Sequence, residues 1–322
     1  MTGPPTQSNN LLGWVTEPTT ASTRRVYCRD CRHLVARPGR TDGFALDRKT
    51  VATEIRQLTP EEQRDFDRDG FVVAPKMASP ETCGELLAVI RDELQKPEGP
   101  LEYEADLGYP GAPSNREANG GATIRRLQQA FNRHPLFAGW AANPNLLSCV
   151  SQLVGPDVVL PLAHHNCVMT KQPRFSSRTA WHQDFRYWSF QRPELVSAWL
   201  ALSPETAENG ALEVVPGSHA MTLDTGRFDP DKFFREDLPE NQDLLDSRRL
   251  ITLEVGDVLL FHCLTLHSAG PNHTDTTKCS LVFTYRPADN PPAPGSRSAS
   301  IPEVPQAPVS PDPSGSSPED RS

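Results

Sequence analysis

From residue 58 to about residue 155 the apolar positions recur mainly at helical spacing, whereas beyond it they fall into short alternating or continuous runs. In "LTPEEQRDFDRDGFVVAP", Thr59 is placed to cap a helix, Pro60 to open it and Glu62 to complete a capping box. Gly70 then stops the helix before a strand over Phe71 to Ala74. Ser79 and Pro80 repeat the start signal, and Leu86, Leu87, Ile90 and Leu94 recur at the spacing of one helical face. "RRLQQAFNRHPLFAGWAANPNLLSCVSQLVG" is expected to be helical too. Strands are expected in "VVLPLAHHNCVMT", "TAWHQDFRYW", "LVSAWLAL", "ALEVVPGS", "RLITLEV", "DVLLFHCLTLH" and "KCSLVFTYR", separated by Gly, Pro, Asn and Asp turns. Helices first and many strands afterward predict a mainly β fold with flanking helices, built as a double-sheet barrel. The acidic segment from Phe228 to Arg248 interrupts the strands as an insertion over one mouth of it.

Both ends break the pattern. Residues 1–57 read as a mostly flexible arm and residues 289–322 as a disordered Pro/Ser-rich tail, because neither offers enough apolar burial to offset its ordering entropy. Residues 58–288 are left as one domain. A net charge of -9 and a pI near 5.5 argue against broad binding to nucleic acid or to an anionic membrane, which points to a small-molecule partner. With no apolar run long enough to span a bilayer and no secretory leader, the chain is expected to be cytoplasmic. The seven cysteines form no disulfide framework. Cys28 and Cys31 have metal-ligand spacing but lack a second pair nearby, so an adaptor role through zinc or redox chemistry is the weaker reading.

The chemistry concentrates in "TAWHQDFRYW". On a strand, His182 and Asp184 project to the same face, which suits either a small cation or a packed, hydrogen-bonded pair. A third ligand is sought among His219, His262, His267 and His273. His267 stands where an apolar strand gives way to "SAGPN", so it can sit at a pocket rim, whereas His262 has the opposite strand parity. Two imidazoles and one carboxylate on one face leave coordination positions open, the arrangement of non-haem iron(II) oxygenases.

"WHQD", "AWLALSPETAENGALEVVPGSH" and "LLFHCLTLHSAGPNHTD" follow one another in an order that resembles the phytanoyl-CoA dioxygenase family of iron(II)- and 2-oxoglutarate-dependent oxygenases. The likeness covers about residues 58–288. It implies a double-stranded β-helix of the jelly-roll, cupin-like type, with His182, Asp184 and His267 as catalytic iron ligands and 2-oxoglutarate and O2 as cosubstrates. The implied reaction hydroxylates an unactivated C–H bond of a small or medium organic substrate and yields succinate and CO2. Related halogenases lack the carboxylate that Asp184 supplies, which favours hydroxylation. The family pattern also implies cosubstrate contacts for Trp199, Arg126 and Cys167. Arg186 and Tyr187, directly after the metal motif, are candidates for the substrate mouth; the tandem histidines His164 and His165 are expected to be hydrogen-bonded core residues, with reach to substrate by one of them as the alternative.

One position departs from the family. Where an arginine grips the distal carboxylate of 2-oxoglutarate, this chain has Lys278, a point charge in place of a planar fork. Arg286 lies eight residues farther, about 26 Å at strand rise, and is out of reach. Either Lys278 makes a single contact, helped by Ser280, or cosubstrate binding is weak or absent. The second case would leave a catalytically impaired, ligand-binding member of the family. On the expected last strand Cys279, Leu281, Phe283 and Tyr285 share one face, and Lys278, Ser280, Val282, Thr284 and Arg286 the other. This predicts one core side and one side lining something polar.

Overall fold

A computed structural model describes residues 55–308. The expected arm lies outside these residues up to position 54, and so do Cys28 and Cys31. The helices are α1 (Pro60–Asp69), α2 (Pro80–Gln95), α3 (Ala130–Arg133), α4 (Pro135–Ala141), α5 (Pro144–Val154) and α6 (Pro239–Leu245). The strands are β1 (Phe71–Ala74), β2 (Leu101–Tyr103), β3 (Ile124–Gln128), β4 (Val158–Leu160), β5 (Asn166–Lys171), β6 (Thr179–His182), β7 (Val196–Ala201), β8 (Leu212–Val214), β9 (Arg249–Leu250), β10 (Val258–His262), β11 (His267–Ala269), β12 (Lys278–Pro287) and β13 (Val304–Pro305).

The start and stop signals of α1 and α2 act as expected. Thr59 accepts from the Glu62 backbone N–H while the Glu62 carboxylate accepts from Thr59 N–H, and Gly70 ends the helix at φ 83°. Ser79 caps α2 through Thr82 N–H. The larger sheet runs β1-β10-β7-β12-β5-β3-β2, with β4 and β13 attached beside β12, and the smaller runs β6-β11-β8-β9. Both are antiparallel, as a double-stranded β-helix requires.

Strand alternation on β12 decides what each side of the larger sheet meets. Cys279, Leu281, Phe283 and Tyr285 join the cluster that includes Leu86 and Ile90 of α2, Phe137 of α4 and Leu146 of α5. Val282, on the opposite side, packs with Trp199 and Phe261 of the same sheet and with Leu212, Val214 and Ala269 of the smaller one. The helices therefore cover the outside of the larger sheet, and the two sheets close over a second core with the polar residues of β12 at its edge.

Three expectations are corrected. Arg125 and Arg126 belong to β3, not to a helix. β3 is drawn into the sheet between β2 and β5, and Gln129, in the left-handed region at φ 56°, breaks the chain before α3 begins. "TAWHQDFRYW" is a strand only to His182, after which Asp184–Tyr187 form a 3-10 turn. The disordered tail does not hold over residues 289–308. Asn290 and Ser298 are fully buried, Ile301 and Val304 pack on the helical core, and β13 pairs with β4. Composition misleads here because the segment docks by side-chain and edge-strand hydrogen bonds, which need little apolar surface. The acidic insertion carries α6 and brings Phe233 within 6.0 Å of the His182 ring, centroid to centroid.

Candidate active site

His182 ends β6 and His267 begins β11, and the ladder places them directly opposite each other with ring centroids 4.2 Å apart. Asp184 joins them because the 3-10 turn reverses the chain after β6. Phe185 N–H donates to Cys263 O at 3.1 Å and the Gln183 amide donates to Leu264 O at 2.7 Å, which pins that turn against the loop before β11. Nε2 of each histidine lies 3.7 Å from Asp184 Oδ1. One ligand atom from each residue falls within 4.8 Å of the others, and all three residues are buried.

The outer ends of the rings fix their chemistry. His182 Nδ1 meets Ala180 O at 2.8 Å and His267 Nδ1 meets Thr265 O at 3.0 Å. A carbonyl accepts only, so each Nδ1 carries the proton and each Nε2 turns a lone pair toward Asp184. Burial, followed by the neighbouring His267 and Arg186, holds the His182 pKa well below the usual imidazole value, so the ring is in its neutral, ligating form. Asp184 Oδ2 is buried with no hydrogen-bond partner among the described residues. A buried carboxylate with one oxygen unpartnered, beside two imidazole lone pairs, is costly in an empty protein and satisfied by a cation. The donor set of two imidazoles and one carboxylate suits iron(II).

His165 is a third imidazole at the centre. Its Nε2 lies 3.3 Å from Asp184 Oδ1, and its Nδ1 lies 3.3 Å from Ser197 Oγ, which in turn is 2.9 Å from Thr284 Oγ1. Burial depresses its pKa to about 4, more than the adjacent carboxylate raises it, so at neutral pH it is an uncharged positioning group. His164 points elsewhere, bonding Ser298 Oγ through Nε2 at 2.7 Å.

Two cavities meet at His165, His182, Asp184 and Arg126. The outer one, about 340 Å³, contains Cys167, Arg186 and Tyr187 in its wall. The narrower inner one reaches Trp199 and Lys278. Arg126 borders both and pairs with Glu102 at 3.0 Å. Cys167 faces the outer cavity. Ser280 lies behind the inner wall.

Lys278, Trp199 and Ser280 are brought together, but around a residue that the sequence did not flag. Glu205 is fully buried and accepts from Lys278 Nζ at 2.8 Å, Trp199 Nε1 at 2.6 Å and Ser280 Oγ at 2.6 Å. No periodic signal marks Glu205, which follows a turn. Lys171 was also missed. It sits directly opposite Lys278 on β5, buried, with Nζ donating to Ser177 O at 3.0 Å and meeting no carboxylate among the described residues. Burial, then the nearby Arg125 and Lys278, push its pKa well below the usual lysine value. Its two-residue spacing from Cys167 and Met169 on β5 was the available signal.

The family model described as phytanoyl-CoA dioxygenase matches residues 66–279. The peroxisomal phytanoyl-CoA dioxygenase of Rattus norvegicus is 25% identical over 271 residues, covering 80% of this chain and 77% of its own. An ectoine dioxygenase of Stutzerimonas stutzeri (strain A1501) is 26% identical over 242 residues, 70% of this chain and 76% of its own. Among solved structures, EctD from S. alaskensis with 2-oxoglutarate and 5-hydroxyectoine superposes with a TM-score of 0.61 at 23% identity, over 74% of this chain and 79% of that one. The match spans about two thirds of the sequence and contains all three convergent ligands, so the chain belongs to the phytanoyl-CoA dioxygenase family.

Proposed function

We propose that His182, Asp184 and His267 hold iron(II), that 2-oxoglutarate enters the inner cavity, and that the outer cavity receives a small or medium organic molecule for hydroxylation at an unactivated C–H bond. The reading rests on one observation: three buried donors converge with both imidazole tautomers set by main-chain carbonyls and one carboxylate oxygen left without a partner. Bound iron with 2-oxoglutarate and O2 supplies the oxidising power, 2-oxoglutarate leaving as succinate and CO2 while one oxygen atom enters the substrate.

The protein's own groups bind and orient. Lys278 retains two ammonium protons beyond the one given to Glu205, and Lys171 lines the same inner cavity with no carboxylate partner among the described residues, so the two lysines at opposed strand positions suit the distal carboxylate of 2-oxoglutarate. Point charges from two strands thus take the place of one arginine fork. The ligand-binding alternative rested on the missing arginine, and it loses its ground with a second lysine in the same cavity. Trp199, held by Glu205, forms one wall, and Arg126 faces the junction where cosubstrate and substrate meet. His165 stands against Asp184 at the junction of the two cavities.

No helix among the described residues is long and apolar enough to cross a membrane. The five described cysteines are all buried free thiols, which supports a reducing, cytoplasmic setting.

The decisive assay measures succinate from 2-oxoglutarate with and without added iron(II), using His182→Ala as the blank. Iron-dependent succinate in the parent protein alone supports the reading, and equal traces in both discard it.

A further inference from the structure

Residues 289–308 lie beyond the family match, yet they form one wall of the outer cavity. The segment is tied down along its length. The Asn290 side chain accepts from Arg192 N–H at 2.8 Å and donates to Arg192 O at 2.9 Å. Ala293 N–H donates to Ser189 O at 2.8 Å. Ser298 Oγ accepts from Ser189 N–H at 2.8 Å and meets His164 Nε2 at 2.7 Å. Beyond it, Glu303 pairs with Arg286 and β13 joins β4. Between these anchors Arg297 opens a short 3-10 turn and, with Ser300 and Ile301, faces the cavity that His182 and Asp184 border.

The charges in this wall are not balanced. Glu102 is already matched by Arg126 and Arg125, and Asp184 is turned to the metal-ligand cluster with His182 and His267. Two guanidinium groups remain. Arg186 stacks over Phe233 at 3.9 Å and reaches only Tyr109 Oη at 3.4 Å and Asp231 O at 3.5 Å, neither an anion. The Arg297 guanidinium makes no hydrogen bond or ion pair among the described residues. In a net-acidic protein, two guanidinium groups without carboxylates in one cavity form an anion-reading surface.

We propose that this carboxy-terminal strap completes the substrate site, and that Arg297 with Arg186 selects an organic anion whose carboxylate or phosphate docks at the mouth while its C–H bond lies toward His182 and Asp184. The proposal deepens the dioxygenase reading and rests on it for the identity of the reacting end. Anion docking is a property of the strap itself and is testable without iron.

The test is calorimetric titration of the metal-free full-length protein with small aliphatic carboxylic acids, their primary carboxamides and the matching phosphate monoesters. Acids or phosphate esters are expected to bind at least tenfold more tightly than the amides, and the preferred anion identifies the head group. Arg297→Ala is expected to lose tenfold or more for the anion and little for the amide, and Arg297→Lys to recover part of the loss. Ser298→Ala, which loosens the strap while leaving both arginines, is expected to weaken anion binding to a smaller degree. Amides binding as well as anions, an unchanged anion affinity in Arg297→Ala, or no binding by any member of the panel overturns the proposal. The failure is distinct from failure of the dioxygenase reading, which iron-dependent succinate release reports separately.

Discussion

Lys171 and Lys278 occupy directly opposed positions on β5 and β12, both buried, and among the described residues only Lys278 has a carboxylate partner. Like charges opposite each other on a sheet are destabilising, so their juxtaposition calls for an anion between them. Lys171→Met removes a buried amine whose charged form burial disfavours and is expected to leave thermal stability unchanged or raised, while 2-oxoglutarate affinity falls at least tenfold. Lys278→Met strands Glu205 and is expected to cost about 3–5 kcal/mol. Thermal unfolding and cosubstrate titration of both variants check the split.

A double substitution probes the same cluster. Glu205→Leu with Lys278→Met replaces both members of a buried pair with apolar groups, which is expected to restore most of the stability that either single change loses. Chemical denaturation of the four proteins in the cycle measures it.

Metal loading is expected to stabilise the fold. At a thousandfold excess over its dissociation constant, iron(II) should add about 4 kcal/mol to unfolding. His182→Ala and His267→Ala should abolish that increment, which anaerobic melting with and without the ion reads directly.

Much of this architecture was legible beforehand. α1 and β1 follow from Thr59, Pro60, Glu62 and Gly70, because capping and left-handed φ are local requirements. The convergence of His182, Asp184 and His267 followed from ligand chemistry and the motif order. The means by which Asp184 arrives did not: strand alternation suggested an extended partner, whereas the turn is held by Cys263 and Leu264 from the far end of the chain. Glu205 and Lys171 owe their roles to nonlocal neighbours, and no spacing rule carries that information for Glu205. The strap was hidden by composition, since its burial rests on polar anchors such as Asn290 and Ser298.

Acid stability is expected to depend on His262. Burial, assisted by the nearby His219, lowers its pKa from 6.5 to about 4. The unfolded chain therefore binds more protons between those values, so stability is complete above about pH 6.5 and falls as the pH drops toward 4. His262→Asn, which keeps an acceptor for Leu264 N–H, should flatten that decline in unfolding curves recorded across the interval.

Gly210 is expected to be intolerant of a side chain. At φ +78° a Cβ there would lie 2.3 Å from Gly270 O and 2.8 Å from Lys171 Cδ. Gly210→Ala should cost more than the roughly 1 kcal/mol of a left-handed alanine and weaken 2-oxoglutarate binding by displacing Lys171. Melting temperature and cosubstrate affinity should fall together.

The strap also sets an order of events during synthesis. β6 and β11, which carry the two histidines, emerge before residues 289–308, so a nascent chain can assemble its metal ligands while the mouth still lacks Arg297. On the proposed role of Arg297, selection of the substrate is thus added after the metal ligands are in place.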